Sequence, residues 1–200
     1  MKTALLLIDI QNCFIPGGTL PVPDGDQVIP IANTLQREFA HIIATQDWHP
    51  ADHKSFAANH PGANVYDVID LGGLQQVLWP VHAVQGSKDA EFAPSLDRSR
   101  WEKVIRKGMN PEIDSYSAFF DNGHKAKTEL DDYLRQQQIT DLHIIGLATD
   151  YCVKFSVLDA LQLGYQVTVH RSACRGVNLQ PGDSEAAFRA MAEAGAVLTE

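Results

Sequence analysis

The sequence predicts an α/β fold, a three-layer sandwich in which a mostly parallel central sheet is flanked by helices. Two observations predict it. Short apolar runs of strand length alternate with longer segments whose apolar residues recur at helical spacing. Their order is strand, helix, strand, a long insert, then strand, helix, strand, helix, strand, helix, strand, and such crossovers are what parallel strands require. Ala4 to Ile10 opens the chain as a nearly continuous apolar run, the pattern of a strand buried on both faces. Asp26 to Phe39 reads as a helix and Ala40 to Gln46 as the second strand. The stretch from Asp47 to Trp101 is rich in Pro, Gly, His and Asn and is too long for an ordinary connection. It reads as an insert of about 47–101 within a single domain of 1–200. Lys103 to Arg106 is the next strand, Lys127 to Gln138 a helix and Leu142 to Ala148 a strand. In the helix Tyr151 to Leu163, Val153, Val157 and Leu161 recur every four residues with Leu158 beside them, and Gly164 stops it. Tyr165 to His170, Ser184 to Ala194 and Ala196 to Thr199 complete the series as strand, helix and strand.

Composition removes several function classes. Against 16 Lys and Arg stand 25 Asp and Glu, a formal net charge of -9 that repels a phosphate backbone or an anionic bilayer. The longest apolar stretches, Ala4 to Ile8 and Ile144 to Ala148, fall far short of the roughly 18 residues that span a membrane. Met1, Lys2 and Thr3 lead directly into a strand pattern with no secretory signature, so a cytoplasmic location is expected. Cys13, Cys152 and Cys174 are odd in number and widely spaced, which suits neither a disulfide framework nor a CxxC motif. Neither GxGxxG nor GxxxxGK occurs, which removes the nucleotide-binding signatures.

In parallel α/β sheets ligands bind beyond the carboxyl ends of the strands. Asp9 and Lys107 each end a strand, and taken singly either has a bland explanation, a turn cap or a solvated cation. If their strands are adjacent, the two emerge side by side as an ion pair. Cys152 lies at the start of a helix, where unpaired amides and the helix dipole favour a thiolate and offer donors to a developing oxyanion. Cys174 lacks such surroundings and reads as a small buried hydrophobe. Asp47, His49, His53 and His82 are candidate metal ligands, with His60 an alternative. Imidazoles plus one carboxylate suit one divalent ion of zinc, iron or manganese with open positions. Phe14 and Trp79 lie in loops of the same region and are suited either to walling an aromatic substrate or to packing a lid. An acid, a lysine, a cysteine and a probable metal together suggest an amide hydrolase that runs through a thioester.

The same residues lie in blocks that strongly resemble the nicotinamidase/pyrazinamidase family of isochorismatase-like cysteine hydrolases. The blocks are Leu5-Leu-Leu-Ile-Asp9-Ile-Gln-Asn, Pro16-Gly-Gly, Thr45-Gln-Asp47-Trp-His49-Pro-Ala-Asp-His53 and Trp79-Pro-Val-His82-Ala-Val-Gln. They continue with Lys107-Gly, Asp114-Ser-Tyr-Ser-Ala-Phe-Phe-Asp121-Asn and Gly146-Leu-Ala-Thr-Asp150-Tyr-Cys152-Val. The resemblance runs along essentially the whole chain. It implies a catalytic triad of Asp9, Lys107 and Cys152, and a metal held by Asp47, His49, His53 and His82. It further implies a cis Leu147-Ala148 peptide that turns the Ala148 and Cys152 amides into an oxyanion hole. Phe14 and Trp79 would sandwich a pyridine ring, and Tyr116 would close the pocket. The implied substrates are nicotinamide and pyrazinamide, in NAD salvage.

Two departures stand out: Cys13 where the family usually shows Asp, and Ala83 where many members have Cys. Neither belongs to the triad or the ligand set. Cys13, four residues from Asp9, is expected to make activity sensitive to mild oxidation. The competing readings are an isochorismatase, which needs neither the cysteine nor this metal set, and a non-catalytic thiol or metal sensor. A homo-oligomer is the base-rate expectation for such an enzyme.

Overall fold

A computed structural model describes residues 2–200 of the chain. The elements in order are β1 (Lys2–Ile8), α1 (Val28–Leu35), β2 (His41–Asp47), β3 (Val68–Leu71), β4 (Leu74–Val77), β5 (Lys103–Lys107), α2 (Leu130–Gln136), β6 (Ile139–Leu147), α3 (Lys154–Gln162), β7 (Gln166–Arg175), α4 (Asp183–Glu193) and β8 (Val197–Thr199). Six strands form one sheet in the order β5-β2-β1-β6-β7-β8. Every neighbouring pair in it is parallel.

The alternation of side chains along β1 builds two cores. Ala4, Leu6 and Ile8 face one way, onto Leu130 and Leu134 of α2, Val157 of α3 and Met191 of α4. Leu5 and Leu7 face the other way, onto Val28, Ile29 and Ala32 of α1 and the apolar residues of the β2–β5 segment. Both faces of the central strands are therefore covered, which explains the unbroken apolar runs. Where β1 and β6 run together, Gly146 has φ 125°, and a side chain there would meet the backbone of Ile8. Glycine allows this close approach next to the site.

The expected strands and helices are present, with shifted ends. The first expected helix is broken into two 3-10 turns, Gly25–Gln27 and Gln36–Glu38, around α1. The second starts late because the Thr128 hydroxyl accepts from the Leu130 amide and caps it. The third opens as a π turn, Thr149–Val153, before α3 begins. The insert also holds an antiparallel hairpin, β3–β4, that was expected as loop. Its turn is Gly72-Gly73, both with positive φ, the dipeptide that two-residue hairpins favour. Among the described residues no helix is long and apolar enough to cross a membrane.

On β6 and β7, His143 Nδ1 lies 2.8 Å from His170 Nε2, and His170 Nδ1 lies 3.2 Å from the Thr199 hydroxyl. The Phe39 ring sits 4.8 Å from that of His143. Burial lowers the pKa of both imidazoles, and for His170 the neighbouring His143 lowers it further, while Glu38 pulls the other way. Below the unfolded value of about 6.5 the unfolded chain binds more protons than the folded one, so stability falls as pH falls. The contribution is whole above that value and is lost as pH drops through the depressed folded pKa values. Thermal unfolding from pH about 7.5 to about 5.5 should show Tm falling for the wild type. The fall should be smaller for His143→Gln/His170→Gln, and equal slopes would show that the pair does not titrate with folding.

Candidate active site

Four strands deliver their carboxyl ends to one edge of the sheet. Asp47 and Lys107 are register partners at the last positions of β2 and β5. Asp9 follows β1 in left-handed backbone, φ 47°. Cys152 stands in the π turn after β6. The expectation that β1 and β5 are adjacent is not met, since β2 lies between them. Lys107 and Asp9 still meet, because a lysine stem reaches across the intervening strand. Its Nζ lies 2.5 Å from Asp47 Oδ1, 2.9 Å from Asp9 Oδ2, 2.9 Å from the Ser115 carbonyl and 3.5 Å from Cys152 Sγ. The side chain is fully buried.

Asp9 is equally buried. Its Oδ1 accepts from the Thr45 hydroxyl at 2.5 Å, and Thr45 in turn accepts from the Asp9 amide at 3.1 Å. Oδ2 lies 2.9 Å from the Lys107 ammonium and, with its remaining lone pair, can accept a further proton. One atom each of Asp9, Asp47 and Cys152 lie within 4.8 Å of one another.

The charges of this group are set by competition between burial and neighbours. Burial raises the Asp9 carboxyl, and Lys107 only partly reverses this. Burial would also raise Asp47, but Lys107 and then His49 hold it far below the usual carboxylate range. For Lys107, burial is outweighed by Asp47, Asp9 and Cys152, and the ammonium is held well above its ordinary value. Burial pushes the Cys152 thiol well up, with Lys107 opposing and the two carboxylates assisting. This corrects the expectation of a thiolate at a helix terminus. The turn is buried beside two carboxylates, and their field together with desolvation exceeds the pull of the helix. Cys152 rests as a thiol and needs a base.

Beside the triad, Asp47 Oδ2 lies 3.5 Å from His49 Nε2 and 3.9 Å from His82 Nε2. Each imidazole is oriented through its other nitrogen. His49 Nδ1 donates to the Gly108 carbonyl at 2.8 Å and His82 Nδ1 to the Pro80 carbonyl at 2.8 Å, while His53 Nδ1 pairs with the Ser55 hydroxyl at 2.7 Å. Carbonyl partners at Nδ1 leave the Nε2 lone pairs of His49 and His82 for a cation. The Nε2 atom of His49 is buried without a partner, as a metal centre requires, whereas the Ser55 amide donates to His53 Nδ1 at 3.1 Å and so places the proton of the neutral ring on His53 Nε2. Gly108, φ 67°, makes room, since a side chain there would strike the His49 ring. His82 is lowered to about 4 by burial and His49. Burial is the largest influence on His49 and lowers it, but Asp47, Asp114 and the Gly108 carbonyl together raise it above the ordinary value, so a cation there competes with a proton. The ligand atoms divide into two groups that share His49: Asp47, His49 and His82, and His49, His53 and Asp114. His53 thus groups with His49 and Asp114 and not with Asp47 and His82, so the four expected ligands are not brought to one point. His60, the alternative, bonds the Lys54 carbonyl and joins neither group.

The family model for the isochorismatase domain matches residues 3–200. The chain belongs to the isochorismatase family. Within it, the chain is 54% identical over 199 residues to the nicotinamidase of Escherichia coli, covering 98% of this chain and 93% of that protein. Among solved structures, the nicotinamidase/pyrazinamidase of Acinetobacter baumanii superposes with a TM-score of 0.97 at 44% identity, over 100% of this chain and 96% of that one. The pyrazinamidase of Pyrococcus horikoshii in complex with zinc superposes with a TM-score of 0.81 at 36% identity, over 100% and 99%.

In this isochorismatase-family member a narrow cavity of about 30 Å³ lies above Cys152, with Asp47 and His82 at one side. Phe14, Trp79 and Tyr116 are among its lining residues. The Phe14 ring is 5.6 Å from the His82 ring. The Leu147-Ala148 peptide is cis, and the amides of Tyr151 and Val153, on either side of Cys152, both donate to the Ala148 carbonyl. Four lining residues had no role from sequence, Leu20 among them. Tyr151 stands edge-on to Trp79 at 4.7 Å. Asp114 reaches the wall from the loop after β5, and Val177 is placed by Asp150, whose Oδ1 accepts from the Val177 amide at 2.9 Å. Asp114, Asp150 and Tyr151 stood inside conspicuous sequence blocks, but only the folded geometry says which side chains turn inward.

Cys13 is corrected. It is wholly buried in the core, and burial followed by Asp89 and Asp47 pushes its thiol well above the ordinary value. A thiol neither exposed nor ionised is a poor target for oxidants, so the expected sensitivity through Cys13 has no structural basis. Cys174 is also buried and pushed up to about 12, as its bland reading implied.

The ammonium of Lys107 is the counter-charge for both buried carboxylates. Lys107→Met should destabilise the protein by about 3–5 kcal/mol in urea unfolding, the range for removing one partner of a buried ion pair. The deficit should narrow at lower pH. Without the cation the folded carboxylates titrate above their unfolded values, so protonation as pH falls restores stability. An unchanged unfolding midpoint would contradict the arrangement.

Proposed function

We propose that this chain hydrolyses nicotinamide to nicotinate and ammonia, and pyrazinamide to pyrazinoate, through a thioester on Cys152. The reaction class is amide hydrolysis, in line with the nicotinamidase and pyrazinamidase relatives. The observation that carries the mechanism is a buried thiol held beside an acceptor oxygen of Asp9 and the ammonium of Lys107, under an aromatic-walled cavity.

Asp9, with its raised pKa and the remaining lone pair of Oδ2, takes the Cys152 proton as sulfur attacks the carboxamide carbon. The C–S bond forms as the carbonyl oxygen becomes an oxyanion, which the Ala148 and Cys152 amides would receive. Lys107 stays protonated and offsets the negative charge that passes from carboxylate to sulfur. Collapse breaks the C–N bond, and the proton on Asp9 leaves with the nitrogen as ammonia. In the second half Asp9 takes a proton from water, the hydroxyl adds to the thioester, and the C–S bond breaks. Sulfur regains its proton and nicotinate departs. A divalent ion held by Asp47, His49 and His82, with His53 beside them, would supply a Lewis acid for the ring nitrogen and for water. The donor set suits zinc, iron or manganese, and the zinc complex of the Pyrococcus horikoshii pyrazinamidase favours zinc.

Ammonia release from nicotinamide by wild type and Cys152→Ala, before and after chelation, tests the proposal. The variant should lose at least about a thousandfold in kcat, as removal of a nucleophile does, with its fold and metal content retained. The chelated protein should be inactive until metal is restored. Failure of the metal-loaded wild type to release ammonia would overturn the substrate assignment.

A further inference from the structure

The hairpin β3–β4 brings one buried polar side chain to the back of the cavity wall. Gln76, on β4, is 2% exposed. Its Nε2 lies 2.7 Å from the Val77 carbonyl, 3.3 Å from Asp114 Oδ2 and 3.0 Å from the Tyr116 hydroxyl. A carbonyl and a carboxylate accept and do not donate, so the atom facing them is the amide nitrogen and not the oxygen. Tyr116 therefore has a donor, not an acceptor, in Gln76. Its second polar neighbour is Trp79 Nε1 at 3.1 Å, and an indole N–H also only donates.

A phenol has one proton to give, and neither neighbour can take it. At neutral pH the proton is present, since tyrosine ionises near 10. A donor without an acceptor on a partly buried wall is unfavourable unless a guest supplies one. Tyr116 lines the cavity that also contains Cys152 and Asp47.

We propose that Gln76 is a positioning residue for substrate recognition: together with Trp79 it compels the Tyr116 hydroxyl to act as a hydrogen-bond donor to an acceptor atom of the bound substrate. The ligand class is a small planar amide that keeps one acceptor free of the backbone amides and of the metal, as the second ring nitrogen of pyrazinamide is. Gln76 touches no substrate itself and acts through the polarity of Tyr116. The inference rests on the amidase reading above and adds to it a determinant from the insert.

Steady-state kinetics on pyrazinamide with the metal-loaded protein test it, because its second ring nitrogen is an acceptor that neither the backbone amides nor the metal takes. Wild-type turnover checks the amidase reading by itself, and ratios among variants check the inference. Tyr116→Phe keeps the ring and removes the proton, and should raise KM about tenfold, the worth of one modest hydrogen bond, with kcat within about twofold. Gln76→Glu places a carboxylate oxygen where the phenol can donate to it, turns the proton away from the cavity, and should raise KM as Tyr116→Phe does. Gln76→Met supplies neither donor nor acceptor, leaves the proton for the substrate, and should change KM less than about threefold. The Tyr116→Phe/Gln76→Glu double variant should be no worse than Tyr116→Phe, because both act on one proton. A purely structural role, including repulsion of the new carboxylate by Asp114 at 3.3 Å, predicts that the loss in Gln76→Glu persists in the Tyr116→Phe background, so that the double variant is worse than Tyr116→Phe. If Gln76→Glu does not fold, Tyr116→Phe against Gln76→Met decides alone. An unchanged KM in Tyr116→Phe, or equal KM increases in the two Gln76 variants, would overturn the proposal.

Discussion

The site depends on one buried ammonium. Lys107 sits at the end of an edge strand of the sheet, yet its side chain is fully buried, bridging Asp47 and Asp9 and touching Cys152. Two carboxylates so close in a dry site would not both ionise without it. Its cation lets Asp47 remain a carboxylate able to face a metal, while Asp9, less strongly compensated, keeps a raised affinity for protons. Two acids a few ångströms apart thereby acquire opposite characters, one held ionised and one with a raised affinity for protons, which suits the ligand and base roles proposed for them.

The topology makes this division. Strands in a parallel sheet are about 4.8 Å apart, so the ends of β5, β2 and β1 span about 10 Å. Lys107 crosses that distance at one height because Asp47 is its register partner and Asp9 extends β1 by one residue. The left-handed conformation of Asp9 marks the point where the chain leaves the sheet and the carboxylate stays behind beneath the Cys152 turn. Gly146 plays the matching part on β6, where a side chain would hold β1 away. The two cores on either face fix these strands, so distances among the catalytic groups are set by packing of Leu5, Leu6, Leu7 and Ile8 far from any substrate.

Much of this was legible in the residues. Strand-end positions for Asp9, Lys107 and Cys152 followed from periodicity, and Asp47, His49, His53 and His82 from ligand chemistry. Strand order was not legible, because apolar runs as uniform as Ala4 to Ile8 do not reveal their neighbours. Adjacency of β1 and β5 was the simplest arrangement, and the interposed β2 brings Asp47 against both the Asp9 and Cys152 group and the His49 and His82 group. Ionisation was misjudged at Cys152 for a related reason. A helix terminus is visible in sequence, whereas full burial and the field of carboxylates from two other strands are not. The hairpin had a signal in Gly72-Gly73, but what Gln76 reaches depends on how the hairpin docks.

A thiol that stays protonated at rest has a chemical advantage in such a pocket. A permanent thiolate beside Asp9 and Asp47 would place three negative charges around one ammonium. The arrangement instead keeps a single proton between sulfur and Asp9, and its transfer leaves the net charge of the group unchanged. Burial raises the proton affinity of both groups. What shifts the proton toward Asp9 is then the substrate carbonyl arriving at sulfur, since negative charge moves off the sulfur and onto an oxygen facing backbone amides. The aromatic walls support this by excluding water, which would otherwise screen Lys107 and compete for the proton. The hydrogen bonds that orient Trp79 and Tyr116 link the insert to the same chemistry as the strand ends.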